Sequence, residues 1–185
     1  LAGVVGEVIQ VYVQKSYPYA DWRPQDEQID GGLTLQVGVH ALRMVEHVVG
    51  LELTEIEARE TALGNPKPGE LRMAVSMVGR LENGAVASVV CNYLNPPAFP
   101  HRPNETVRVW GTQGLIESDV NGTIRRLVLN DGDCGEFEWD QPRQADYFDM
   151  IVREILDDAP MPFTIEQELH PCRMVLRAKR SADPA

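Results

Sequence analysis

Between Thr54 and Asn130 the chain runs through six short strand-like segments with almost no room between several of them. They are Thr54–Leu63, Glu70–Leu81, Ala85–Leu94, Thr106–Gly111, Leu115–Asp119 and Thr123–Asn130. Asn83-Gly84 is a strong tight-hairpin signal, because both residue types tolerate positive φ. Thr112-Gln113 and Asn121-Gly122 make similarly short links. Strands joined this closely are sequential neighbours, and a link too short for a crossover makes them antiparallel.

The flanking segments supply the rest of the layer. Gly6–Gln14 alternates and is rich in β-branched residues, so it reads as a further strand. The next stretch, Ser16–Gly32, carries two prolines, a closing Gly31-Gly32, the aromatics Tyr17, Tyr19 and Trp22, and one arginine. A loop of this length in a compact domain is usually functional or disordered, and its aromatics argue against disorder. From Thr34 to Val49 the apolar period turns helical, with Gly50 as the stop. Asn95–Asn104, with four prolines, reads as an extended loop. Gln144–Leu156 carries Tyr147, Phe148, Ile151, Ile155 and Leu156 on one helical face. Thr164 with Gln167 forms a capping-box pattern for a last helix. The expected architecture is α+β: one domain over residues 1–185, a large, open, mostly antiparallel sheet with helices packed on one face. Such a sheet leaves its other face to be buried, so the alternating residues of Leu71–Val78 and Val86–Leu94 are expected to meet a second copy in a homodimer.

Several functions are disfavoured. With 17 basic and 28 acidic residues the net charge is −11, which fits neither a nucleic-acid backbone nor an anionic membrane surface. Apolar stretches are too short to span a bilayer. Cys91, Cys134 and Cys172 are an odd, scattered set, suited to a reducing cytoplasm rather than to a disulfide framework. The four histidines lack metal-ligand spacing, so no metal site is expected. No G-x-G-x-x-G or P-loop occurs, so no cofactor-binding residues are expected in this chain. The start at Leu1, in mid-pattern, suggests a piece of something longer.

The richest stretch runs from Trp22-Arg23 through Gly31-Gly32 to Gln36 and His40. Gln36 and His40 are four apart and share a helical face. Imidazole relays protons near neutral pH, which makes His40 the candidate catalytic residue. Arg23 beside Trp22 can clamp a hydroxyl pair or a carboxylate, and Tyr17 and Tyr19 can line the same mouth. His101 and Arg102 in the proline loop read as solvated, His47 and His170 as structural or exposed, and Asp131–Asp133 and Asp157-Asp158 as solvated turns.

The segment GGLTLQVGVHALRMVEHVVG resembles the G-G-G-x-L-x-D-x-G-x-H-x-x-D motif of the Gfo/Idh/MocA oxidoreductases, the relatives of glucose–fructose oxidoreductase and inositol dehydrogenase. Gly6-Glu7-Val8, the Leu81–Ala85 hairpin, Val107–Gly114 and the closing Thr164–Asp183 segment resemble further parts of that family in the same order. The resemblance implies the C-terminal half of such an enzyme, with a fold like the C-terminal domain of glyceraldehyde-3-phosphate dehydrogenase. The Rossmann domain that binds NAD or NADP, and the catalytic lysine of an E-K-P motif, would lie outside; Lys67, which follows Pro66, is no counterpart. It implies that His40 is the catalytic or substrate-binding histidine, that Gln36, Arg23, Trp22 and Tyr19 bind a sugar- or polyol-like substrate, and that subunits pair through the sheet. Two positions depart from the pattern. Gln36 stands where the family has aspartate, and Arg43 where it often has aspartate. An amide can accept a hydrogen bond from the imidazole but brings no charge to it. The alternative implied is a non-catalytic binding or assembly module that kept the fold and lost the chemistry.

Overall fold

A computed structural model describes residues 3–136 and 146–182. Eight strands form one sheet in the order β2-β3-β4-β1-β5-β6-β7-β8. They are β1 Val8–Ser16, β2 Leu53–Thr61, β3 Ala74–Leu81, β4 Val86–Asn92, β5 Asn104–Gly111, β6 Gly114–Asp119, β7 Arg125–Leu129 and β8 Gly132–Glu136. The pairings are antiparallel with one exception: β1 lies parallel to β4, with Val11 opposite Ala87 and Val13 opposite Val89. Three helices accompany the sheet: α1 Val39–Val49, α2 Tyr147–Asp157 and α3 Ile165–Ala182. The expected α+β sheet is present, and the strand starts and ends fall within a few residues of the periodic segments.

Parity decides the two faces. Val11 and Val13 of β1, Val75 and Met77 of β3, and Ala87, Val89 and Cys91 of β4 are buried on one side. There they meet Ala41, Leu42, Val45 and Val49 of α1, with Met174, Val175 and Ala178 of α3. Gly38 stands where α1 comes nearest the sheet: a Cβ on it would lie 3.2 Å from both Met77 and Val175. The opposite face is mixed rather than uniformly apolar. Val78 and Val86 are 56% and 40% exposed, but they share that face with Ser76, Arg80, Ser88, Tyr12 and Gln14.

Four details differ from the sequence reading. The β3–β4 turn places only Gly84 at positive φ (+89°), while Asn83 stays outside that region. Leu81 N–H reaches the Ala85 carbonyl at 2.8 Å, so the connection is a three-residue loop that closes on a left-handed glycine. Asn83 contributes through its side chain, accepting from Ala85 N–H at 3.0 Å and donating to the Val8 carbonyl at 3.0 Å. Asp131–Asp133, read as a solvated turn, leads into β8, whose residues are all exposed and therefore show no apolar alternation. The helix over Thr34–Val49 begins as a π-helical turn at Thr34–Gly38 and becomes α-helical only at Val39. Finally, α2 buries none of its residues; Phe148, Ile155 and Leu156 are 69%, 73% and 74% exposed. The Gln144-Ala145 start expected for that helix lies outside the described residues.

The capping box at α3 forms as expected. Thr164 N–H donates to Gln167 Oε1 at 2.9 Å, and Gln167 N–H donates to Thr164 Oγ at 3.2 Å. Among the described residues no helix is long and apolar enough to cross a membrane.

The contrast between α1 and α2 is measurable by urea denaturation. Leu42→Ala empties a fully buried site and is expected to cost about 2–5 kcal/mol. Ile155→Ala on the uncovered face of α2 is expected to stay within about 0.5 kcal/mol of wild type.

Candidate functional site

The candidate site stands on two pieces of chain that meet at one buried ionic junction. The loop after β1 reaches inward through Glu27, whose side chain is 13% exposed. Glu27 Oε1 accepts from Arg72 N–H at 2.8 Å, and its Oε2 lies 2.7 Å from Lys179 Nζ on α3. The same ammonium lies 2.8 Å from Glu60 Oε2 on β2, a side chain only 3% exposed. Glu60 in turn accepts from the Thr34 hydroxyl at the first position of the π turn. Loop, β2, π turn and α3 are thus joined around one lysine. Burial by itself would lower the Lys179 pKa, but the hydrogen-bonded carboxylates of Glu27 and Glu60 outweigh it and raise the pKa above its ordinary 10.5. Gly32 (φ +64°) is required by the same contact, since a Cβ there would sit 2.4 Å from the Glu27 carboxylate.

From this base the π turn and α1 present Gln36 and His40 on the exposed side, opposite the buried Ala41, Leu42 and Val45. A π-helical turn widens the helix by one residue per hydrogen-bonded ring and is frequent at functional positions. Gln36 and His40 share the outward side, as the spacing implies, but no hydrogen bond joins them. Gln36 Nε2 donates instead to the Asp30 carbonyl at 2.7 Å, which ties the helix start back to the loop. His40 has no hydrogen-bond partner among the described residues.

On the loop itself, Trp22 is 71% exposed and Arg23 is half-buried. The Arg23 guanidinium lies 5.0 Å from the Trp22 ring centroid and 3.8 Å from that of Tyr93. Tyr93, beyond the end of β4, is 2% exposed, and burial pushes its phenol up to about 12, with Arg23 pulling the other way. Tyr19 is half-buried against the core and accepts from Gln25 Nε2 at 3.3 Å. Tyr17 belongs elsewhere. Its hydroxyl bonds to Glu105, which pairs with the buried Lys15 at 2.7 Å beside Cys91. Burial pushes the Cys91 thiol up to about 12, so it stays protonated and inert at neutral pH.

The sequence singles out Trp22, Arg23, Tyr19, Gln36 and His40, and gives no sign that Tyr93, Glu27 and Lys179 stand beside them. A signal for Lys15 was present: it continues the inward parity of Val11 and Val13. Of the remaining histidines, His170 is structural, with Nδ1 2.7 Å from Glu46 Oε1. Among the described residues no group of three or more His, Cys, Asp or Glu side chains could hold a metal. His40 lines none of three recesses, of which one of about 380 Å³ is bordered by Gln25, Asp26, Gln28, Gly69 and Glu70 at the loop that carries Arg23. Another of about 230 Å³ is lined by Met44, Val48, Val107, Val109 and Ile116 under β5 and β6; the third, of about 530 Å³, lies beside Arg43, Glu46, His47 and Phe163.

Comparison with known proteins gives this geometry a context. The family model of the GFO/IDH/MocA C-terminal domain matches residues 1–117. The uncharacterized oxidoreductase YrbE of Bacillus subtilis (strain 168) is 32% identical over 103 residues, which cover 52% of this chain and 29% of YrbE. An oxidoreductase-like protein of Thermotoga maritima superposes with a TM-score of 0.85 at 28% identity, over 97% of this chain and 54% of its own. GenD2 from gentamicin A biosynthesis, in complex with NAD, matches with a TM-score of 0.72 at 22% identity over 97% of this chain and 54% of its own. Aldose-aldose oxidoreductase from Caulobacter crescentus, complexed with glycerol, matches with a TM-score of 0.78 at 21% identity over 97% and 55%. At those two identities the likeness is one of fold. The chain spans about half the length of the solved proteins it matches.

The junction can be tested directly. Lys179→Met leaves Glu27 without its cation and Glu60 with only Arg72 Nε, at 4.0 Å, and is expected to cost about 3 kcal/mol at neutral pH. Because the Lys179 pKa is raised on folding, its stabilisation is present below the ordinary 10.5 and is lost as pH rises through the folded value. Urea titrations should therefore show the gap between wild type and variant closing at strongly alkaline pH.

Proposed function

The chain belongs to the GFO/IDH/MocA family as a C-terminal domain, and from that premise we propose that it is the substrate-binding and oligomerisation part of an NAD(P)-dependent oxidoreductase. Its substrate is a sugar, polyol or related hydroxy or keto compound. The observation that carries this reading is the placement of His40. It is an exposed histidine with no hydrogen-bond partner among the described residues, on a helix whose opposite face is locked into the core and whose start is tied through Gln36 to Asp30 of the loop that carries Trp22 and Arg23. Such a group is rigidly placed but chemically uncommitted, as a proton carrier must be.

Among the described residues, the Gly31-Gly32 pair offers the pyrophosphate of a dinucleotide no cradle. Gly31 and Gly32 precede the π turn, but the space in front of Gly32 is filled by the Glu27 carboxylate, which would repel a phosphate. The dinucleotide is held by the part of the full-length protein outside these residues, and when bound it supplies the hydride acceptor or donor. That GenD2 was crystallised with NAD supports this class of cofactor. The residues of this chain do the remaining work. In the oxidising direction the substrate C–H bond gives up its hydride, the hydroxyl O–H proton passes to the His40 imidazole, and the carbon becomes a carbonyl. In the reducing direction His40 returns that proton to the new alkoxide oxygen. Gln36 contributes a neutral amide: its Nε2 is engaged by the Asp30 carbonyl, leaving its oxygen to accept from a substrate hydroxyl. Trp22 covers the site and Tyr19 braces the loop through Gln25.

A second reading, a binding or assembly module without catalysis, draws support from Gln36. Without a carboxylate four residues before it, His40 lacks the charge that would favour its protonated form. Oligomerisation is assigned to the outer face of the sheet around Val78 and Val86, where a two-fold axis would set each patch against its copy.

Kinetics of the full-length protein with NAD or NADP separate the two readings. His40→Ala is expected to lower turnover about 10²–10⁴-fold with little change in stability. Gln36→Asp is expected to raise the histidine pKa measured by NMR and to shift the pH–rate profile with it. Unchanged turnover in both variants assigns the module reading instead. Val78→Glu is expected to convert a dimer to monomer in sedimentation; a wild-type protein that is already monomeric rejects the sheet-face interface.

A further inference from the structure

The loop that carries Arg23 also carries four acidic residues, and each of them is already engaged. Asp21 pairs with Lys67 at 3.4 Å, Asp26 accepts from Gln28 N–H at 2.8 Å, Glu27 pairs with Lys179, and Asp30 accepts from Gly32 N–H at 2.9 Å. The basic groups nearby are committed as well: Lys179 to Glu27 and Glu60, and Lys67 to Asp21. Arg23 differs from all of these. In a chain of net charge −11, its guanidinium has no carboxylate partner among the described residues. It is nonetheless held in place, stacked over the Tyr93 ring at 3.8 Å with Trp22 alongside.

Two polar atoms at this point are buried and unpartnered, Arg23 Nε and the Tyr93 hydroxyl. A buried polar group without a partner costs stability, so a pair of them at one point calls for an explanation. Both are donors. The phenol is protonated at neutral pH because burial raises it to about 12, and guanidinium has no acceptor at all. Rings that hold a guanidinium by its faces leave its edge for recognition, and that edge matches the planar geometry of a carboxylate or the oxygens of a phosphate. Gln36 is bonded to the backbone of Asp30, and the carboxylates of Asp30 and Glu27 both act on the Tyr93 phenol and raise it, so Arg23 stands near the helix start that presents His40 among two carboxylates that are themselves held by Gly32 N–H and Lys179.

We propose that Arg23, with the Tyr93 hydroxyl beneath it, is the binding point for an oxyanion on the substrate, so that the compound handled at His40 is a sugar acid or a sugar phosphate rather than a neutral polyol. The proposal rests on the reading of this face as the substrate site and narrows it to one chemical class. The negative charge that Gln36 does not supply to the site is then brought by the ligand, and Arg23 balances it.

The test compares three probes on the full-length protein by calorimetry: sodium glucuronate, glucose 6-phosphate and neutral glucitol. At least one of the two anions is expected to bind about tenfold or more tightly than glucitol, the usual worth of a charge-assisted hydrogen-bonded pair. Glucuronate ahead of glucose 6-phosphate assigns a carboxylate, and the reverse order a phosphate. Arg23→Lys keeps the charge but loses the fork, and is expected to abolish most of that preference for anions over glucitol. Tyr93→Phe keeps the ring under the guanidinium and is expected to weaken anion binding several-fold; an unchanged value removes the hydroxyl from the site. Equal binding of all three probes, or a preference that survives Arg23→Lys, overturns the proposal. A full-length enzyme that turns over glucitol through His40 with no anion preference would overturn it while leaving the oxidoreductase reading in place.

Discussion

The position of everything that could touch a ligand depends on one ammonium between two carboxylates. Lys179 comes from the last helix, Glu27 from the loop after β1 and Glu60 from the edge strand β2, and Thr34 joins through its hydroxyl. Removing Lys179 would leave Glu27 without a cation and Glu60 with only the more distant Arg72, so the cluster is most stable when all of its segments are docked together. Apolar packing could hold α1 against the sheet without this arrangement. It could not specify how the loop and the π turn sit relative to each other, because hydrophobic contact is non-directional.

A division of labour follows along a single helix. The inward residues of α1 supply packing area, with Leu42 and Val45 fully enclosed, while the outward side carries Gln36 and His40 with no packing duty. The π turn lets those duties coexist near Gly38, where the helix backbone lies close to Met77 and Val175. Gln36 and His40 line none of the three recesses, so their side of the helix is an open face. Both residues are displayed outward, away from the core.

Periodicity made the sheet legible, because strands such as β3 and β4 have one face in the core and alternate accordingly. It failed at β8, where every residue is exposed and charged groups such as Asp133, paired to Arg126, guard the edge. The amphipathic pattern of α2 was equally legible, yet that helix finds nothing to bury it within the described residues; amphipathicity reports a need for a partner and does not name one. His40 and Gln36 were legible through their spacing and through the resemblance. Tyr93 was not, since an aromatic residue at the end of an apolar strand looks like ordinary core, and only coordinates place its ring under Arg23. The parallel pairing of β1 was hidden for a related reason: strands joined by short links reveal their neighbours, but a strand inserted from far away leaves no local trace.

That insertion has a kinetic meaning. β2, β3 and β4 form one locally connected unit and β5 to β8 another, each built from contacts between neighbours in sequence. The two units share no direct ladder, because β1 lies between them and pairs with β4 on one side and β5 on the other. Val11 must find Ala87 and Val109, partners far along the chain, and the entropy of closing those loops is spent before the reward of pairing arrives. The two meanders can therefore form early and independently. The pairing of β1 between them is the one with the largest loop-closure cost, and without β1 the facing edges of β4 and β5 would have no ladder partner.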